Sequence, residues 1–141
     1  FSPYGNVTAL AFFLATNASG AVIDSDTTVA VASGDVIDLG ELPEGMRLDD
    51  AQILIKTGMT ATVTGSLGFK YVDGDSTEVP QDAAYFINAG DLATAGRLRA
   101  NTGKLVTLPK AARLILTTGG AANAKASDIK VIVSGELTGP R

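Results

Sequence analysis

The sequence predicts an all-β fold, an antiparallel two-sheet β-sandwich of jelly-roll type with little helix. Three observations predict it. Short runs rich in Val, Ile, Thr and aromatic residues recur along the chain at a spacing of roughly 10–15 residues. Turn residues separate the runs, and 16 of the 141 residues are glycine. No long stretch repeats its apolar residues at the three-to-four-residue spacing of an amphipathic helix. A count of eight or nine such runs fits two sheets, since eight strands in two sheets make a jelly roll. At 14.3 kDa the chain is one domain. Residues 1–26 read as an apolar N-terminal arm or first strand, and residues 27–141 as the sandwich.

Residues 7–15 (VTALAFFLA) form the first run, and Thr27 to Ala32 alternate as a second strand. Val36 to Leu39 follow Gly34-Asp35 and lead into the turn Gly40-Glu41-Leu42-Pro43-Glu44-Gly45. Arg47 to Lys56 begin polar and end apolar, with Ala51, Ile53 and Ile55 on one face. Ala61 to Val72 alternate over a long stretch that puts Val63, Leu67, Phe69 and Tyr71 together, before the hairpin-type turn Asp73-Gly74-Asp75-Ser76. Ala84 to Ile87 read as a short strand. Asp91 to Arg99 are the one expected helical turn, with Asp91 as its cap and Gly96 as a weak point. Lys104 to Leu108, Ala112 to Thr118 and Asp128 to Leu137 complete the strands. The expected core is Val36, Leu39, Ile53, Ile55, Val63, Leu67, Phe69, Leu114, Leu116, Val131 and Val133.

The composition argues against catalysis. Cysteine and histidine are absent, which removes thiolate nucleophiles, the commonest general base near neutral pH and the commonest nitrogen metal ligand. No nucleophile elbow, phosphate loop or His-Glu-x-x-His motif occurs. The chain is therefore expected to have no catalytic residue, no cofactor and no required metal. Asp24/Asp26, Asp49/Asp50 and Asp73/Asp75 are paired carboxylates, and the best cation candidate among them is Asp73, Asp75 and Glu78. A solvated hairpin tip explains that loop as well, because it lacks the ligand spacing of a calcium loop.

Net charge is −4, unevenly spread. Residues 1–50 hold eight acids and one base, residues 51–90 four and two, and residues 91–141 three and eight. Basic residues are too few and too scattered for nucleic-acid binding. The asymmetry either orients the chain on a charged partner or is cancelled as distant strands interleave. The longest uninterrupted apolar run, Ala9 to Ala15, is far short of a spanning helix, so no membrane association is expected. That run is apolar on both faces of a strand, whereas a sandwich strand normally has one wet face. Either a loop of the same domain covers the second face or another subunit does, and in the second case Leu10, Phe12, Phe13 and Leu14 are the expected partner contact.

The stretch Gly34 to Leu48 (GDVIDLGELPEGMRL), the hairpin Gly68-Phe69-Lys70-Tyr71-Val72-Asp73-Gly74 and the closing strands Lys104 to Thr118 and Asp128 to Leu137 carry a resemblance. Together they resemble the small jelly-roll decoration, or cementing, proteins of tailed bacteriophage capsids, with size and pattern most like those of short-tailed phages. The likeness covers roughly residues 27–138 and does not include the apolar N-terminal run. It implies a structural virion protein on the outer capsid surface that bridges neighbouring major capsid protein subunits. A homo-oligomer is expected, a dimer first and a trimer second, because two-fold symmetry is the commonest closed assembly. The alternative is a carbohydrate- or receptor-binding virion module on the same sandwich, which would need an exposed aromatic patch.

Overall fold

Period-two alternation of apolar and polar residues dictates strands with one face buried, and the computed structural model is built almost entirely from them. It describes residues 7–23, 30–42, 44–74, 79–100 and 105–137, and no helix occurs among them. The strands are β1 (Val7–Thr16), β2 (Val36–Leu42), β3 (Met46–Thr57), β4 (Thr64–Tyr71), β5 (Asp82–Asp91), β6 (Gly96–Arg99), β7 (Val106–Thr107), β8 (Ala112–Gly119) and β9 (Ser127–Leu137). One sheet has the order β1-β9-β3-β6, with β7 also on β3, and the other has the order β2-β8-β4-β5. β6 lies along Gln52 to Ile55 of β3 and β7 along Arg47 and Leu48, so the two behave as one interrupted strand. Counted that way, the fold is two four-stranded antiparallel sheets in which only β4 and β5 are neighbours in both sheet and sequence, the jelly-roll arrangement.

The two inner faces meet in one core. β3 supplies Leu48, Ala51, Ile53 and Ile55, and β9 supplies Ile129, Val131 and Val133. Opposite them lie Leu67 and Phe69 of β4 and Leu114 and Leu116 of β8. A bulge between Leu48 and Asp50 resets the alternation in β3. It lets both Leu48 and Ala51 face inward, as an odd spacing otherwise could not. A larger irregularity shapes β5: Leu67 pairs Ile87, yet Phe69 pairs Asp82. Tyr85, Phe86 and Ile87 are consequently buried in succession, and the backbone at Asp82 and Ala83 presses against Gly68, where a Cβ would collide with it. Gly40 of β2 has a similar role across the sandwich, since a Cβ there would strike the ring of Phe12.

Several expectations are corrected. Val36 is 54 % exposed, because it opens β2 in the outward parity and leaves Ile37 to pack on the core. Leu39 is only partly buried, beside the bulge between Asp38 and Gly40. Of the strand expected at Thr27 to Ala32, residues 27–29 lie outside the described residues, and Ala30, Val31 and Ala32 are not in a strand. Val31 is buried all the same, held by its N–H on the Gly20 carbonyl and by its own carbonyl, which accepts from Asn123 N–H. The helical turn expected at Asp91 to Arg99 is the end of β5, a turn and β6. Pairing of Arg97 and Arg99 with Leu54 and Gln52 of β3 outweighs the local helical tendency, and Gly96 takes a φ of 151° that a helix excludes.

Asp91 does cap that turn. One carboxylate oxygen accepts the Ala93 N–H at 2.8 Å and the other the Thr94 hydroxyl at 2.9 Å. The Ala93 N–H, and then the Thr94 hydroxyl, hold the Asp91 carboxyl below its usual range. A lowered folded-state value contributes stability that is complete above the ordinary carboxylate pKa of about 3.9 and is lost as pH falls through the folded value. The stability difference between wild type and Asp91→Asn should therefore be constant from pH 8 to about pH 5 and shrink toward zero near pH 2. Urea titrations across that range measure it, and a difference that grows on acidification contradicts this role.

One end of the sandwich is closed by a buried polar lock. Asn123, 1 % exposed, accepts through Oδ1 from the Thr60 N–H at 3.1 Å and the Thr60 hydroxyl at 3.2 Å. Its Nδ2 donates to Thr16 Oγ1 and to the Lys125 carbonyl, both at 3.1 Å. Thr16 Oγ1 and Ser127 Oγ are 2.7 Å apart, joining β1 to β9 within the same network. Replacing Asn123 by Ala leaves several of these buried groups unpaired, so Asn123→Ala should cost at least about 1–3 kcal/mol. The expected result is a lower urea midpoint with an unchanged slope. A loss below about 0.5 kcal/mol would show that water replaces the side chain fully.

Candidate interaction surface

The register of the first sheet lays its outward residues in rows. Phe13 of β1, Lys130 of β9, Leu54 of β3 and Arg97 of β6 stand side by side, and next to them run Ala11, Ile132, Gln52 and Arg99. Ala9, Ser134 and Asp50 form a third row. The face mixes the apolar Phe13, Leu54 and Ile132 with Lys130 and Gln52 between them, and carries Asp50, Arg97 and Arg99 along one side. Phe13 is 73 % exposed, and the Lys130 ammonium lies 5.5 Å from its ring centre. An open groove of about 370 Å³ runs between Phe13, Leu54, Lys56, Gly96, Asp128 and Lys130. At the rim, Arg99 pairs with Asp50. The Gln52 side-chain carbonyl, in the middle of the face, is buried without a hydrogen-bond partner.

The outer face of the other sheet differs. Arg113 binds both oxygens of Asp38 at 3.1 and 3.0 Å, and Ser66 accepts the Ala89 N–H. Arg113, Asp38, Glu41 and Lys70 place charge on this face, beside the exposed Val36. Elsewhere, Arg47 binds Asp49 at 2.7 Å and lies 3.3 Å from Glu136, and the Asp49 carboxylate raises the pKa of its guanidinium. Burial raises the Tyr85 hydroxyl, which accepts the Val106 N–H. These groups hold loops and strands together.

The residues singled out as the partner contact separate by parity. Leu14 is 2 % exposed, and Leu10 and Phe12 pack on the core. Only Phe13 projects outward. The residues around it that make the face, Leu54, Gln52, Lys130 and Ile132, were not singled out by sequence, because they come from strands whose outward rows only the register aligns. Of the carboxylate pairs, Asp49 and Asp50 are each engaged by an arginine. Asp24, Asp26, Asp75 and Glu78 lie outside the described residues. Among the described residues no group of three potential metal-binding side chains comes together.

Fold and surface together define a jelly-roll sandwich with one partly apolar outer face and, among the described residues, no cluster of metal-binding side chains. No protein-family model and no curated protein matches the chain. Solved structures do match it. A chain of the capsid of Ralstonia phage GP4 is similar with a TM-score of 0.68 and 18 % identity, over 96 % of this chain and 86 % of that one. A chain of the capsid asymmetric unit of cyanophage Pam1 has a TM-score of 0.63 and 18 % identity, over 94 % and 86 %. A chain of the acid-stable capsid of Helicobacter pylori bacteriophage KHP30 has a TM-score of 0.56 and 13 % identity, over 92 % and 89 %. At these identities the likeness is one of fold.

The parity of β1 has a direct test. Phe13→Ser should change stability by no more than about 0.5 kcal/mol, because the ring is mostly in water already. Leu14→Ala, one residue on, should cost about 2–5 kcal/mol by opening a cavity in the core. Equal losses in the two variants would mean that β1 does not sit in this register.

Proposed function

We propose that this chain is a structural virion protein that binds the outside of a bacteriophage capsid and cements neighbouring major capsid protein subunits, acting as a homodimer. The observation that carries the reading is the nearly end-to-end similarity to chains of three phage capsids, over most of the length of each partner. The sequence resemblance to decoration proteins points the same way. So does the chemistry: the chain lacks histidine and cysteine, and its most exposed aromatic among the described residues sits on a partly apolar sheet face.

Cementing needs weak contacts repeated many times. A shell presents the same subunit boundary at every capsomer, and a dimer that grips two subunits makes its second contact intramolecular. A rigid sandwich suits this role because it keeps the distance between the two grips fixed. The face around Phe13 is the coat-facing candidate. It offers apolar area at Phe13, Leu54 and Ile132 and charged groups of both signs, Lys130 between them and Arg97 and Asp128 beside them, a mixture that suits a non-obligate interface.

Cryo-microscopy of intact particles from the phage that encodes the chain tests the reading. The expected result is density for the sandwich on the outer shell, spanning a boundary between coat subunits. Particles depleted of the chain should release their genome at a lower temperature and recover when the purified protein is added back. Density confined to a tail or receptor-binding fibre, or unchanged heat resistance after depletion, would overturn it.

A further inference from the structure

A β-sheet edge exposes a row of unpaired N–H and C=O groups, and proteins that stay monomeric protect such edges with charge, proline, bulges or shortness. Three of the four edges here are protected. β2 carries Asp38 and Glu41 and a bulge, β5 carries two acids and large irregularities, and β6 is four residues long with two arginines. β1 is the exception. Its ten residues, VTALAFFLAT, include no charge and no proline, and its pairing with β9 runs without a bulge.

The hydrogen bonds at the end of β1 fix which of its backbone groups face outward. The Ala15 carbonyl accepts the Ile23 N–H, and the Asn17 N–H donates to the Ala21 carbonyl, both on the side away from β9. In a regular strand the direction alternates. The N–H and C=O groups of Val7, Ala9, Ala11 and Phe13 therefore also point away from β9. Among the described residues nothing pairs with them, and the segment at Val22 and Ile23 covers the edge only at its far end.

We propose that this edge binds the same edge of a second copy, forming an antiparallel β1–β1 pair across a two-fold axis centred on Leu10. This rests on the dimeric part of the function proposed above and names how the dimer is built. The register follows from the free groups. Centred on Leu10, Val7 faces Phe13 of the other copy and Ala9 faces Ala11, so all four residues bond and pairing stops where Ile23 begins to cover the edge. On the outer face Ala9 meets Ala11, which lets the two sheets join without a clash. The absence of charge is what favours a second copy over a foreign strand. Across a two-fold axis charged residues of one sign would meet their own kind; β1 carries no charge at any position, whereas β5, equally long, has an acid at each end that would face the acid of the other copy.

The test uses the full chain in sedimentation velocity and native-state amide exchange. Wild type is expected at twice the 14.3 kDa chain mass at micromolar concentration, with the Ala9, Ala11 and Phe13 amides protected. Ala9→Lys with Ala11→Lys places like charges opposite one another twice in this register, and should weaken the dimer at least about tenfold. Ala9→Lys with Ala11→Glu places opposite charges there and should restore wild-type association. Both alanines are exposed, so each variant folds, and its circular dichroism and urea midpoint verify that. A monomeric wild type overturns the proposal, including a monomer whose β1 amides become protected only on added shells, which would make the edge a coat-protein site. A dimer unaffected by the lysine pair, or one that the Lys/Glu pair fails to restore, also overturns it. Neither result touches cementing, which particle density and heat resistance decide independently.

Discussion

The whole architecture depends on β9 lying between β1 and β3. The last described strand pairs with the first along ten consecutive residues and with the third along nearly its full length. Ile129, Val131 and Val133 are thereby surrounded by apolar neighbours on both sides and face the second sheet above. No subset of the chain can reproduce this, since the partners of β9 come from the opposite end of the sequence. Loop closure must precede the contacts that reward it, so a sandwich of this kind folds slowly and as a unit. Asn123 sits on the approach to β9 and binds the chain at Thr16, Thr60 and Lys125, which sets where that last strand enters.

The uneven charge along the chain is resolved by the same interleaving. Arg99 reaches Asp50, Arg113 reaches Asp38, and Arg47 lies beside Glu136. In two of these pairs the base comes from the basic final third and the acid from the acidic first fifty residues. All are substantially solvent-exposed, so each pair contributes little to stability. Their consequence is the removal of a two-lobed charge distribution that the linear sequence suggests.

The sheet class and nine of the eleven expected core residues were legible because alternation is a local signal, and Ile53, Ile55, Val63, Leu67, Phe69, Leu114, Leu116, Val131 and Val133 all obey it. What was not legible depended on partners. The irregularity of β5 and the glycine at position 68 that accommodates it are consequences of how two strands meet, not of either strand's composition. β6 reads as a helical turn in the sequence because its only strong reason to be extended is β3. Asn123 stands in a loop of small residues with nothing nearby in sequence to mark it as buried. The surface followed the same rule. Phe13 was conspicuous within an apolar run, while its neighbours on the face are supplied by β9, β3 and β6 and become neighbours only through the register.

Strand geometry separates the two interactions proposed for β1. In a strand, side chains stand perpendicular to the sheet while the N–H and C=O groups lie within its plane. Ala9, Ala11 and Phe13 therefore present two surfaces that do not compete. In the proposed arrangement their backbone groups run along the edge, toward a second copy, and their side chains rise from the face, toward a coat subunit. Pairing at the edge would leave the face uncovered and set two such faces side by side in one continuous sheet, related by a two-fold axis. A strand apolar on both sides is then accounted for without a flexible arm: Leu10, Phe12 and Leu14 serve the core, and Phe13 with its flanking alanines serves the surface. The small size of those alanines becomes a requirement, because bulk at the seam would hold the two sheets apart before their backbones could bond.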